Sequence, residues 1–304
     1  MNAVVHLTKC KPNSMIASAR IARFIATQTG ADLVDCSELA EPKYKTLFIV
    51  NGPMAFSDFL PEIAEMVNNC ERIIWVQNDI IIKPPTTDPS KTRAESPFRK
   101  AFANYGKPLD YWTTLPSMVK TDGSAYINWN MLTYDPLQVM ETRSKSLLYY
   151  GAYRQDRDTY FRKYLGSTAY PITVSAPVMA AKKFHELNHT IEIVKPFTDL
   201  IPAISSYAGT VYMEDIKSHT TYCSPANRFY ECLSAGLPMF FDKGSVKTLE
   251  QAGYDVSPFI VKSPEDVYTL LNLHGKVQYE QLKWRRDYRS ELVEQLMKAV
   301  MEKL

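Results

Sequence analysis

No sign of charge dominates this chain. Lys and Arg number 35 against 33 Asp and Glu, so the formal net charge is only +2. A global electrostatic pull on a polyanion is thereby excluded, and any such contact has to be local. Paired cysteines are missing as well. Cys10, Cys36, Cys70, Cys223 and Cys232 are scattered without CxxC spacing, and the 5 histidines form no HxxxH pattern. That argues against a zinc site, and an odd number of dispersed thiols suits a reducing compartment. No window approaches the roughly 18 clean apolar residues that a membrane helix needs. The strand-like run Ala3–Leu7 lacks the apolar stretch and small-residue cleavage site of a secretory signal. A cytoplasmic, membrane-free protein is the expectation.

What is present is apolar bulk. Of the 304 residues 45% are hydrophobic, more naturally two domains of about 150 residues than one. The first half alternates strand and helix signals. Ala3–Leu7, Ala31–Val34, Thr46–Val50 and Arg72–Val76 read as strands, while Met15–Thr27 and Phe59–Asn68 read as helices. Met15, Ala19, Ala22 and Ile25 form one apolar stripe, and Gly30 ends the first helix. Strand and helix alternating at this rhythm imply parallel pairing with crossover helices.

The rhythm breaks over residues 83–136, a proline-rich stretch with short strand candidates at Tyr111–Leu115 and Ala125–Thr133. Loops of this length in α/β domains are usually functional or mobile. Strands resume at Leu147–Tyr150, Ile172–Val174, Ile191–Val194 and Leu237–Phe241, with helices at Asp156–Leu165 and Ala226–Ala235. Gly236 stands where a left-handed helix C-cap belongs. The expected architecture is α/β, with two Rossmann-like domains, residues 1–145 and 146–304, facing across a cleft. The segment Val277–Leu304 reads as a charged terminal helix.

Ligands of such sheets bind beyond the carboxyl ends of the strands, so the residues just after each strand carry the chemistry. After Arg72–Val76 comes Gln77-Asn78-Asp79. A carboxylate at a strand tip can be a general base, and a turn or capping aspartate is the plainer alternative. After Leu147–Tyr150 comes Gly151-Ala152-Tyr153-Arg154-Gln155-Asp156-Arg157. A small residue there lets the backbone approach a phosphate, and a helix start offers free N–H groups. Arg154 and Arg157, one turn apart, can both face one pyrophosphate; surface charge is the equal alternative. Finally, Arg228 and Glu231 share one face of the helix before Gly236. An intrahelical ion pair is one reading. The other has Arg228 on phosphate and Glu231 on ribose hydroxyls.

Together, Ile73-Ile74-Trp75-Val76-Gln77-Asn78-Asp79-Ile80, Tyr150-Gly151-Ala152-Tyr153-Arg154 through Arg157, and Arg228-Phe229-Tyr230-Glu231 resemble blocks of the GT-B DNA glycosyltransferases of T-even phages, their β-glucosyltransferases in particular. The order and spacing are compatible from Lys45 to Asp242. The resemblance implies the GT-B fold, Asp79 as catalytic base, and Gly151, Tyr153, Arg154, Arg157, Arg228 and Glu231 as donor-binding residues. There are departures. Ala152 stands where the family has a second glycine, and the two arginines are three apart instead of four. Arg20 and Arg23 occupy the region of a family acidic residue. The sugar is therefore left open between glucose and a pentose such as arabinose.

The reaction so implied is inverting transfer from a UDP-sugar to the hydroxymethyl group of a modified pyrimidine, such as 5-hydroxymethylcytosine, in phage DNA. A base inside a duplex would be flipped out for it. The setting would be the cytoplasm of an infected host cell, and the protein a monomer. A divalent metal, Mg or Mn, is left open as an aid to diphosphate departure, with no ligand site identified. The first domain would face DNA. Lys83, Arg93, Arg99 and Lys100 belong to a locally basic stretch beside Asp79, and Tyr105, Tyr111 and Trp112 are available for stacking. A solvated loop is the alternative. His219 and Tyr222 stand near the expected sugar position and read as ordinary loop residues, while Asp215 is a candidate to bind sugar hydroxyls. Two rivals remain: a GT-B enzyme acting on a glycan, lipid or small molecule, and a non-catalytic nucleotide- or DNA-binding module.

Overall fold

The computed structural model describes residues 2–7, 17–35, 44–51, 66–77, 105–113, 125–126, 144–214, 219, 225–284 and 298. The chain divides into two units, Met1–Thr133 with Glu291–Leu304, and Tyr134–Ser290.

The first unit is built on strands β1 (Asn2–Leu7), β2 (Asp32–Asp35), β3 (Tyr44–Asn51), β4 (Cys70–Gln77), β5 (Leu109–Thr113) and β6 (Ala125–Tyr126), with helix α1 (Ala17–Thr29) after β1. The sheet order is β2-β1-β3-β4-β5-β6, and every pairing is parallel. Leu47, Phe48, Ile49 and Val50 are all buried, as are Ile73, Ile74, Trp75 and Val76. Strands buried on both faces read as unbroken apolar runs, which is why β3 and β4 were legible. On one face Val4, Phe48, Val50, Ile74, Val76 and Trp112 pack against Ile21, Ala22 and Ile25 of α1. Trp112 is therefore a core residue, its ring centroid 5.9 Å from that of Phe48, and this corrects the expectation that it is available for stacking. The stretch read as a long loop contains β5 and β6. Arg72 Nε donates to Asp110 Oδ2 at 2.8 Å, tying β4 to β5. Lys107 donates to the carbonyls of Asn68, at 3.2 Å, and of Cys70.

The second unit holds β7 (Leu147–Tyr150), β8 (Ile172–Ser175), β9 (Glu192–Val194), β10 (Thr210–Tyr212), β11 (Met239–Asp242) and β12 (Ile260–Val261). They form two parallel three-stranded sheets, β7-β8-β9 and β10-β11-β12. A parallel bridge between Leu147 and Gly209, with Leu148 N–H donating to Gly209 O at 2.9 Å, sets them edge to edge. The combined order is β9-β8-β7-β10-β11-β12. Counted within this unit, that is 3-2-1-4-5-6, the doubly wound order whose ligand crevice lies where the winding reverses. Here the reversal falls between β7 and β10.

The helices are α2 (Val178–Leu187), α3 (Leu200–Ser205), α4 (Asn227–Ala235), α5 (Val246–Gln251) and α6 (Pro264–Asn272). Gly236 caps α4 at φ 61°, in the left-handed region, as the sequence predicts. The expected helix Asp156–Leu165 is composite: a 3-10 turn at Gln155–Arg157, an α turn at Asp158–Tyr160 and a π turn at Phe161–Leu165. The wide last turn buries Phe161, Tyr164 and Leu165 together. Residues 274–284 continue as helix and pack on this same unit. Gln281 donates to Met239 O at 2.6 Å and accepts from Met239 N–H at 2.8 Å, closing on β11 as a neighbouring strand would. Trp284, in the segment that reads as a charged terminal helix, stacks on Phe229 at 6.3 Å.

Candidate functional site

The winding reversal carries a concentration of buried charge. β7 ends at Tyr150, and Gly151 follows with φ 123°. A Cβ at Gly151 would lie 2.8 Å from an Nη of Arg228, so glycine is what admits the guanidinium. Arg228 sits in the first turn of α4. The helix start is fixed by the Tyr212 hydroxyl, which accepts from Ala226 N–H at 2.8 Å. The Arg228 guanidinium donates to Tyr150 O at 2.8 Å, Met213 O at 3.3 Å and Glu214 Oε1 at 3.0 Å. It lies 4.9 Å from the ring centre of Tyr149 and 5.1 Å from that of Tyr150. Burial opposes the Arg228 charge, but Tyr149, Glu214 and Tyr150 outweigh it and hold the guanidinium protonated above its ordinary range.

Glu214 stands just past the end of β10 and takes its second arginine on the other oxygen, which accepts from Arg157. Side-chain exposures are 4% for Glu214, 7% for Arg157 and 12% for Arg228. Two guanidiniums around one carboxylate leave one positive charge. Nε of both Arg157 and Arg228 is buried without a hydrogen-bond partner.

One turn along α4, Glu231 Oε2 accepts from the Tyr150 hydroxyl at 3.0 Å. That hydroxyl also lies 3.5 Å from Cys232 Sγ. Burial, then Cys232 and Glu231, push the Tyr150 hydroxyl well above its usual range, so it stays a donor. Burial pushes the Cys232 thiol up to about 12, which rules out a thiolate nucleophile at neutral pH.

The sequence-predicted residues thus fall into three groups. Gly151, Arg157, Arg228 and Glu231 gather at the ends of β7 and β10, linked through Tyr150 and Glu214. Tyr153 and Arg154 are placed differently. The Tyr153 hydroxyl donates to Asp158, its ring packs 5.1 Å from Phe161 and 5.2 Å from Phe184, and burial with Asp158 raises it to about 12. Arg154 is exposed while Arg157 is buried, so the two do not present one common face. Asp79, Lys83, Arg93, Arg99 and Lys100 lie outside the described residues, as do Asp215 and Tyr222; β4 ends at Gln77, two residues before Asp79. His219 Nδ1 lies 3.1 Å from the Thr248 hydroxyl of α5. Sequence reasoning missed Glu214 and the Tyr150 hydroxyl. Among the described residues no His, Cys, Asp and Glu cluster is arranged to hold a metal, and no helix is long and apolar enough to cross a membrane.

No family model matches the chain, and no curated protein matches it in sequence. Solved structures do. A mutant of the T4 phage protein BGT in complex with UDP-glucose superposes at TM-score 0.63 with 12% identity, covering 96% of each chain. The DNA-modifying enzyme β-glucosyltransferase superposes at 0.64 with 10% identity over 97% of each chain. Anabaena Alr3699/HepE in complex with UDP and glucose superposes at 0.53 with 9% identity, covering 100% of this chain and 99% of that one. The strand order of each unit and these likenesses together establish the architecture: the chain has the GT-B fold.

Proposed function

We propose that this chain is an inverting glycosyltransferase that moves glucose or arabinose from a UDP-sugar to the hydroxymethyl group of a modified pyrimidine in double-stranded DNA. The observation that carries the donor half is the placement of Arg228 and Glu231 on α4, against Gly151, at the winding reversal of the second sheet. Arg228 would meet the diphosphate and Glu231 the ribose hydroxyls, with exposed Arg154 adding charge. The acceptor half rests on the resemblance of the block around Asp79. It is also supported by the phage DNA-modifying enzymes among the similar structures, and by an α-glucosyltransferase bound to UDP and a 13-mer DNA at TM-score 0.50 and 9% identity.

In this reading the second unit holds the donor and the first, with its basic stretch 83–120, receives the DNA. Asp79 takes the proton of the hydroxymethyl group as its oxygen bonds to the anomeric carbon. The bond from that carbon to the diphosphate breaks, and UDP leaves with the electron pair. Developing charge on the diphosphate meets the fixed guanidinium of Arg228, where electrostatic preorganisation acts. The likeness to Anabaena Alr3699/HepE in complex with UDP and glucose supports the donor half alone.

The test is incubation with labelled UDP-glucose or UDP-arabinose and duplexes containing 5-hydroxymethylcytosine or 5-hydroxymethyluracil. Sugar on one of the duplexes supports the reading. Hydrolysis of donor with label on neither DNA rejects the acceptor class.

A further inference from the structure

We infer that Glu214 is a positioning residue for the donor site. Its carboxylate holds the Arg228 guanidinium in place, and the buried Arg157 serves as its counter-charge and not as a phosphate ligand. The inference rests on the proposed reading of α4 as the donor-phosphate helix. Four observations carry it. Glu214 lies past the carboxyl end of β10, at the winding reversal itself, and is almost wholly buried. Each of its oxygens is taken by a different arginine. Arg228 donates to two backbone carbonyls, of Tyr150 and Met213, and to one side chain, the Glu214 carboxylate, which is the only one of the three to supply a charge. Arg157, at 7% exposure and bonded to Glu214, offers little surface to a ligand.

The sign of a charge change separates positioning from simple electrostatics. Removing the carboxylate raises the cluster from one net positive charge to two. If charge alone governed donor binding, Glu214→Gln would bind UDP more tightly. If Glu214 positions Arg228, the same change leaves two buried guanidiniums repelling each other, Arg228 shifts, and binding weakens. The double variant Glu214→Gln/Arg157→Met restores one net charge without the carboxylate. It isolates geometry from charge and removes the repulsion that could unfold the single variant.

The experiment is calorimetric titration of UDP into the wild type and both variants, with thermal unfolding of each measured in parallel. Weakening by about tenfold or more in the folded double variant, and in Glu214→Gln, supports positioning. A purely structural role would lower the unfolding temperature and leave UDP affinity where it was. Unchanged or tighter binding in the double variant overturns the inference. A wild type that binds no UDP overturns the donor reading instead, so the two failures are distinguishable.

Discussion

Gly151→Ala is the most exacting single test of the site's geometry. At φ 123° the backbone is in a region that L side chains rarely adopt, and the strain of forcing alanine there is roughly 1–3 kcal/mol. The added methyl would also sit 2.8 Å from the Arg228 guanidinium, inside contact distance, so the guanidinium has to move. The bond at stake is the 2.8 Å one to Tyr150 O. A hydrogen bond from a charged group is worth about 1.5–3 kcal/mol. If that bond keeps Arg228 set for a diphosphate, its loss appears as roughly ten- to hundredfold weaker UDP binding. The strain appears separately, as a fall in unfolding temperature of about 2–4 °C per kcal/mol. Calorimetry with UDP and a thermal melt read the two effects independently. Gly275→Ala is the control: a Cβ there meets nothing within 4 Å, and the site is helical. It should stabilise by about 0.5–1 kcal/mol with UDP affinity intact. Gly151→Ala binding UDP as the wild type does would refute the placement of Arg228 at the donor phosphate.

Asp79→Asn should abolish sugar transfer to DNA while UDP affinity stays within about twofold of wild type, and transfer at the wild-type rate would remove Asp79 as the base. Tyr150→Phe deletes the donor to Glu231; UDP should bind about two- to tenfold more weakly and inorganic pyrophosphate unchanged, because only the ribose contact is touched. Equal losses for both ligands would assign Glu231 away from the ribose. Asp242 predicts an acid limb in stability. Burial raises its carboxyl, but Gly244 N–H, the Tyr164 hydroxyl and Lys163 outweigh it and hold the group below its ordinary 3.8. A depressed carboxylate stabilises the fold above its unfolded value, and that stability is lost as pH falls through the lower folded one. Asp242→Asn should therefore lower the unfolding temperature at neutral pH and flatten its decline below about pH 4. An unaltered slope in that window would show that the Lys163 and Tyr164 contacts contribute nothing.

How much of this was readable in advance follows from burial. Leu47–Val50, Ile73–Val76 and Leu147–Tyr150 are buried on both faces, and such runs announce parallel strands. Gly236 was legible because a left-handed C-cap has one preferred residue. The segment from Gln155 to Leu165 was not, since its bulky aromatics suit a π turn as well as an α turn and periodicity does not separate them. Helix α6 was not read from the sequence, although Ser263 and Asp266 form a reciprocal capping box with Pro264 in the first turn. Arg228 and Glu231 were legible as a pair on one helix face. Glu214 was hidden. It follows a three-residue strand, and its partners are 14 and 57 positions away in the chain, so nothing local marks it off from an ordinary loop acid.

That hidden residue also bears on why the cluster exists. Taking two guanidiniums and a carboxylate out of water costs several kcal/mol per ion, and well-packed apolar side chains in their place are often as stable or more so. Stability is thus a poor reason for Arg157, Arg228 and Glu214 to share the interior of the second unit. The contrast with Asp242 is instructive. Its Lys163 partner has a side chain 37% exposed and stays near solvent, an arrangement that costs little and needs no further purpose. The Glu214 cluster is paid for differently: glycine is required at 151, and two Nε donors remain without partners. These are local penalties accepted at one place, the reversal of strand order, where a parallel α/β sheet offers its crevice. Replacing all three charges with apolar residues, Arg157→Met, Arg228→Met and Glu214→Leu, should leave the unfolding temperature unchanged or raised and remove UDP binding altogether. A triple variant that unfolds at far lower temperature would return the cluster to a purely structural role.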